Sequence, residues 1–160
     1  MNSDGVPFLE PAFVVDAPPA MPHSAGDHRV MGRTAEGEEL FSVSFAMPEV
    51  ADRNGGSSFV IVMPVRPEWA GALDSITLTG PGGSVTLDGE SNRPMAILRD
   101  PRTGQVRGFV RDLAGPAQAA AMDTVGPAVG PGLETLFSRG IPSAEAWRRR
   151  ALGWWLRCCG

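Results

Sequence analysis

No stretch of this chain runs far without a residue that ends regular structure: 20 glycines and 15 prolines are spread through its 160 residues. Proline cannot donate to a helix or sheet ladder, and glycine costs conformational entropy in either. Their density argues against long helices and for many short strands separated by turns. A chain of this length, 42% hydrophobic and 20% charged, fits one soluble domain. It hides roughly 70% of its unfolded surface on folding, enough for a core without disulfides or a structural metal.

The hydrophobic pattern places the strands. Residues 39–47 alternate, with Phe41, Val43, Phe45 and Met47 on one face and Ser42, Ser44 and Ala46 on the other, which is a half-buried strand. A shorter strand is expected at 28–33. Residues 58–65 follow the turn cluster Asp52-Arg53-Asn54-Gly55-Gly56-Ser57 and are apolar at almost every position, as in a strand buried on both faces. Residues 75–79 and 84–88 form a hairpin around Gly80-Pro81-Gly82-Gly83, with Ile76, Leu78, Val85 and Leu87 inward. A second hairpin joins 95–99 to 105–111 through Asp100-Pro101-Arg102-Thr103-Gly104.

At the ends the signals change. Residues 7–15 hold Phe8, Leu9, Phe13, Val14 and Val15, and Pro11 restricts them to an edge strand that docks on the sheet. Residues 17–27, with Pro18, Pro19, Pro22 and Gly26, read as a linker. Residues 115–132 read as a loop and 133–138 as a last strand. Ser143 after Pro142 is an N-cap for the one expected helix, which places Trp147, Ala151 and Trp154 on one face. The pattern predicts an all-β antiparallel sandwich, immunoglobulin- or fibronectin-like in outline, over residues 1–142. Residues 143–160 add a short C-terminal helix and a basic, Trp-rich tail. Phe41, Val43, Phe45, Phe59, Ile61, Ile76, Leu78, Val85, Leu87 and Ile97 are expected in one core.

Charge narrows the partners. All 14 basic residues are arginine, and Arg148, Arg149, Arg150 and Arg157 lie in an acid-free stretch at the end. Without those four, 10 arginines face 18 carboxylates, a net of -8. A body of that sign repels phosphate backbones, so no nucleic-acid partner is expected. The tail mixes arginine with Trp154 and Trp155 as membrane-surface helices do, but Gly153 interrupts it; alternatively the natural domain ends near Arg149. The first residues have neither the basic region nor the apolar run of a signal peptide, so the chain reads as cytoplasmic or as the late part of a longer exported one.

Signs of catalysis are missing from the sequence. His23 and His28, five apart in a turn-rich segment, share no helical face and read as solvated loop histidines rather than a partial metal site. There is no His-Glu-x-x-His, no Gly-x-Ser-x-Gly and no lysine for Schiff-base chemistry. Glu49, Asp52 and Asn54 carry oxygen donors suited to calcium, but the same letters spell a solvated turn. Trp69 offers a sugar-stacking face or, the preferred reading, closes one end of the core. Cys158 and Cys159 are adjacent and bridge each other only with strain, so free thiols or intermolecular partners are expected. No catalytic, cofactor-binding or metal-binding residue is assigned, and no cofactor.

The order of several phrases resembles the C-terminal region of predicted extracellular bacterial zinc metallopeptidases. They are Leu9-Glu10-Pro11-Ala12-Phe13-Val14-Val15-Asp16, Glu39-Leu40-Phe41-Ser42-Val43-Ser44-Phe45, Thr79-Gly80-Pro81-Gly82-Gly83, and Arg139-Gly140-Ile141-Pro142 followed by Trp147-Arg148. The resemblance spans roughly residues 8–149. It implies a β-sandwich that closes the chain behind a catalytic domain bearing His-Glu-x-x-His, a motif this sequence lacks. The expectation is therefore a noncatalytic accessory or structural domain of a longer exported protein, extracellular or periplasmic. Its expected partner is an N-terminal catalytic domain, with weak self-association through the apolar 7–15 segment. The rival expectations are a carbohydrate-binding module and a membrane-surface adaptor.

Overall fold

The structure is a computed structural model that describes residues 7–15, 17–23, 25–47, 60–89, 93–111, 113 and 132–147. Among the described residues seven strands form two antiparallel sheets, with a 3₁₀ turn at Pro67–Trp69 and one α-helical turn at 144–147. The expectation of an all-β, sandwich-like fold holds. The chain divides into two compact units, one of residues 1–9 and 18–88, the other of residues 10–17 and 89–160.

The first unit holds the sheet β2-β1-β3-β4, built from β1 (His28–Arg33), β2 (Glu39–Phe45), β3 (Ser75–Gly80) and β4 (Gly83–Leu87). Its two faces follow from the period of two along each strand. On one face Val30 lies between Val43 and Leu78, and Leu78 pairs onward with Val85. Val30, Phe45 and Leu78 are the buried centre, with Leu9, Phe41, Met47, Ile61, Ile76 and Val85 packed around it. The opposite face is polar and laced across strands: Thr77 Oγ1 lies 3.0 Å from Thr86 Oγ1, and Arg29 donates to Ser42 Oγ at 2.6 Å and to Glu39 Oε2 at 3.1 Å. The β3–β4 turn is the expected one, with Pro81 and Gly82 at its tip and Gly83 at φ 119°.

The second unit holds the sheet β6-β5-β7, from β5 (Met95–Arg99), β6 (Val106–Val110) and β7 (Glu134–Ser138). The middle strand β5 is buried at every position, as a strand flanked on both sides should be. Its apolar cluster is Ala96 and Leu113, with Val110 and Phe137 against them. Beyond β7, Ser143 caps the helical turn as expected: its Oγ accepts from Ala146 N at 3.3 Å, and Trp147 at the end of the turn is buried.

Three expectations fail. Residues 60–65 are not a strand buried on both faces. Val62 makes an isolated bridge to Ala20, while Val60 is 73% exposed and Val65 45% exposed. A continuous apolar run can pair only where a neighbour's free edge meets it, and Pro64 has no N–H to offer. Residues 7–15 are not an edge strand either: Ala12 N donates to Gly140 O at 2.7 Å, outside any regular ladder. Pro11 is buried there and the flanking apolar side chains are half-buried. Ile97 is buried, but in the second unit rather than in a core shared with Phe45. Phe59 and the expected loop at 115–131 lie outside the described residues.

Candidate functional site

The chemistry-bearing side chains of the second unit gather at the two ends of β5. At its C-terminal end the Asp100 carboxylate organises the turn into β6. Asp100 Oδ1 accepts from the backbone N–H of Arg102 at 2.9 Å and of Thr103 at 3.3 Å. Asp100 N donates to Gln105 O at 2.9 Å, and Gly104 closes the turn at φ 75°, a conformation that favours glycine. The Arg102 N–H holds the Asp100 carboxyl below the usual 3.8, with Thr103 and the Arg102 charge adding to it against the opposing effect of burial. Arg107 Nη2 lies 3.6 Å from Asp100 Oδ2. Arg99, itself buried, donates to Gly104 O at 3.3 Å and to Glu134 Oε2 at 3.0 Å.

At the other end of β5 lies a recess of about 320 Å³ lined by Glu10, Pro11, Arg93, Met95 and Arg111. Arg111 grips both oxygens of Glu10 in a fork, with Nη2 donating to Oε2 at 3.1 Å. The same guanidinium lies 5.9 Å from the centroid of the Phe109 ring. Sequence reasoning could not find this pair, because its members are 101 residues apart and neither sits in a motif. The recess thus presents an arginine–carboxylate pair beside Arg93 and Met95.

In the first unit the candidates separate. His23 is exposed, whereas His28 is not the solvated loop residue expected. It opens β1 with its ring buried 5.7 Å from that of Phe45, and a Cβ on Gly80 would run into the imidazole. Burial comes from the bare backbone of Gly80 across the sheet, a feature that spacing along the chain does not reveal. Its Nδ1 has no hydrogen-bond partner among the described residues. Trp69 ends a 3₁₀ turn at Pro67–Trp69 and is buried, with its ring 5.2 Å from that of Phe41. It packs the core, as preferred.

Among the described residues no three His, Cys, Asp or Glu side chains come together to hold a metal. No helix among them is long and apolar enough to cross a membrane. Glu49, Asp52, Asn54, the arginines of the tail, Cys158 and Cys159 lie outside the described residues. No family model, curated protein or solved structure matches the chain.

Proposed function

We propose that this chain is a noncatalytic accessory or structural module of a longer secreted, zinc-metallopeptidase-like bacterial protein, extracellular or periplasmic. The supporting observation is the use to which the buried polar groups are put. Arg99 joins a turn and a neighbouring strand, Asp100 folds the β5–β6 turn, and Ser138 Oγ bonds to Gly140 O at 3.1 Å. A hydrolytic centre instead presents a base, a nucleophile or a metal to a cleft. Here Arg99, Asp100 and Ser138 support chain geometry. The packing of Trp69 against Phe41 favours this reading over a sugar-binding module, whose stacking ring must stand open.

The test is metal content and proteolysis of the purified chain. It should retain no stoichiometric zinc after dialysis and should not cleave unfolded protein. One equivalent of bound zinc, with proteolysis lost on chelation, would overturn the noncatalytic assignment. The parent protein is tested by the reading frame upstream of Met1 together with mass spectrometry of the native product. An in-frame His-Glu-x-x-His there supports the peptidase assignment, and a native product that begins at Met1 removes it.

A further inference from the structure

The recess at the N-terminal end of β5 is assembled from three stretches of chain. Pro94 restricts Arg93 to extended backbone, and residues two apart on an extended chain share a face, so Arg93 and Met95 line it together. Across the ladder Ala96 pairs with Val110, and one residue further that register sets Arg111 opposite Met95. Glu10 and Pro11 come from the N-terminal segment, which Ala12 N anchors by its bond to Gly140 O at 2.7 Å. Met95 and Pro11 are buried, whereas Arg93 and the Arg111 side chain are exposed. Small-molecule sites measure roughly 300–1,000 Å³, and at about 320 Å³ this one suits a ligand of few atoms.

Two guanidinium groups face one carboxylate in the lining, a local surplus of one positive charge in a chain whose net charge is -4. Glu10 shows what Arg111 recognises. Both of its carboxylate oxygens are held in a fork, the planar geometry by which arginine selects carboxylates. The Phe109 ring, 5.9 Å from the same guanidinium, helps to fix it, so the group is set in place before a ligand enters. Pro11 and Met95 add apolar contact beside this cationic wall. A surplus of one positive charge balances one negative charge and not two, because a dianion leaves an excess next to the Glu10 carboxylate.

We propose that the recess binds a small organic monocarboxylate, its carboxylate held by Arg93 and Arg111 and its short apolar body laid against Pro11 and Met95. Glu10 competes for the same guanidinium and weakens the site. Such binding requires neither a parent protein nor a catalytic domain.

The test is titration of the isotope-labelled full chain with butyrate, followed through its backbone amides by nuclear magnetic resonance. Butyramide is the uncharged control and sulfate the dianion. Saturable shifts should appear at Arg93, Met95 and Arg111, and butyramide should produce none. Arg93→Gln should weaken butyrate binding about fivefold, the factor that a unit charge about 4 Å away is worth in water. Glu10→Gln, which keeps an oxygen for the fork and removes the competing charge, should tighten binding by a similar factor. Arg102→Gln removes the same charge as Arg93→Gln from beyond the other end of β5, a strand that spans about 13 Å. That exceeds the screening length of about 10 Å at 0.1 M salt, so affinity should not change. Absence of saturable shifts, an equal response to butyramide, tighter binding of sulfate than of butyrate, equal weakening by Arg93→Gln and Arg102→Gln, or a Glu10→Gln variant that binds no better would each overturn the proposal.

Discussion

Arg99 and Glu134 stand directly opposite each other in the β5–β7 ladder, and Arg99 Nη1 donates to Glu134 Oε2 at 3.0 Å. The arginine side chain is 7% exposed and the glutamate 41%. Breaking a fully buried pair costs about 3–5 kcal/mol, an exposed one under about 1 kcal/mol. Glu134→Ala should therefore cost about 2 kcal/mol in urea unfolding. Arg99→Met, which removes the buried charge itself, should cost less. The reverse order would mean that the arginine's packing and its bond to Gly104 O outweigh the cost of its buried charge.

Phe45 is fully buried at the centre of the first unit's cluster. Its truncation leaves a void that the paired strands β1 and β2 cannot close without breaking register. Phe45→Ala should cost about 3–5 kcal/mol by denaturant unfolding, whereas Val60→Ala, at a side chain 73% exposed, should be nearly neutral.

Gly32 pairs with Phe41, whose ring lies across the bare glycine where a Cβ would stand and reaches Trp69. Gly32→Ala should push the ring aside at about 1–3 kcal/mol. The cost should shrink when Phe41→Leu is made as well, because the shorter side chain vacates the contested space. A double-mutant cycle measures that coupling, and additive effects would refute the account.

Asp100 supplies a pH dependence of definite sign. Its carboxyl titrates lower in the fold than the usual 3.8, so the folded state binds fewer protons than the unfolded one in that region. Asp100 thus adds stability that is fully present above about pH 4 and is lost as pH falls through the folded value. The loss of stability on acidification should contain a contribution that Asp100→Asn abolishes, read from urea unfolding at a series of pH values. The N–H groups of Arg102 and Thr103 can still donate to the amide oxygen of that variant, which separates charge from turn geometry.

Much of the architecture follows from local rules that the chain carries openly. The alternation at Phe41, Val43 and Phe45 is a property of a strand with one buried face. Pro81-Gly82 and Asp100 through Gly104 encode their turns through a fixed proline φ, an Asp side chain that bonds two residues on, and a glycine that tolerates positive φ. Ser143 caps its helical turn by a bond three residues long. Each involves only neighbours in sequence, so residue identity and spacing suffice to read it.

The remainder was decided in three dimensions. A period of two says which side chains seek burial but not what will cover them. The apolar run 58–65 therefore reads as a strand buried on both faces and Ile97 as a core partner of Phe45, whereas Val62 makes only an isolated bridge and Ile97 belongs to the second unit. The burial of His28 depends on Gly80 lacking a side chain in the neighbouring strand. Glu10 meets Arg111 across 101 residues. Loop-closure entropy rises only slowly with separation, so distance along the chain scarcely ranks the partners a strand or a charge can choose. The sequence alone determined β1 to β7, the alternating faces of β2, β3 and β4, and the turns that join the hairpins. The tertiary structure decided their neighbours, because pairing and burial are satisfied by whatever the folded chain brings alongside.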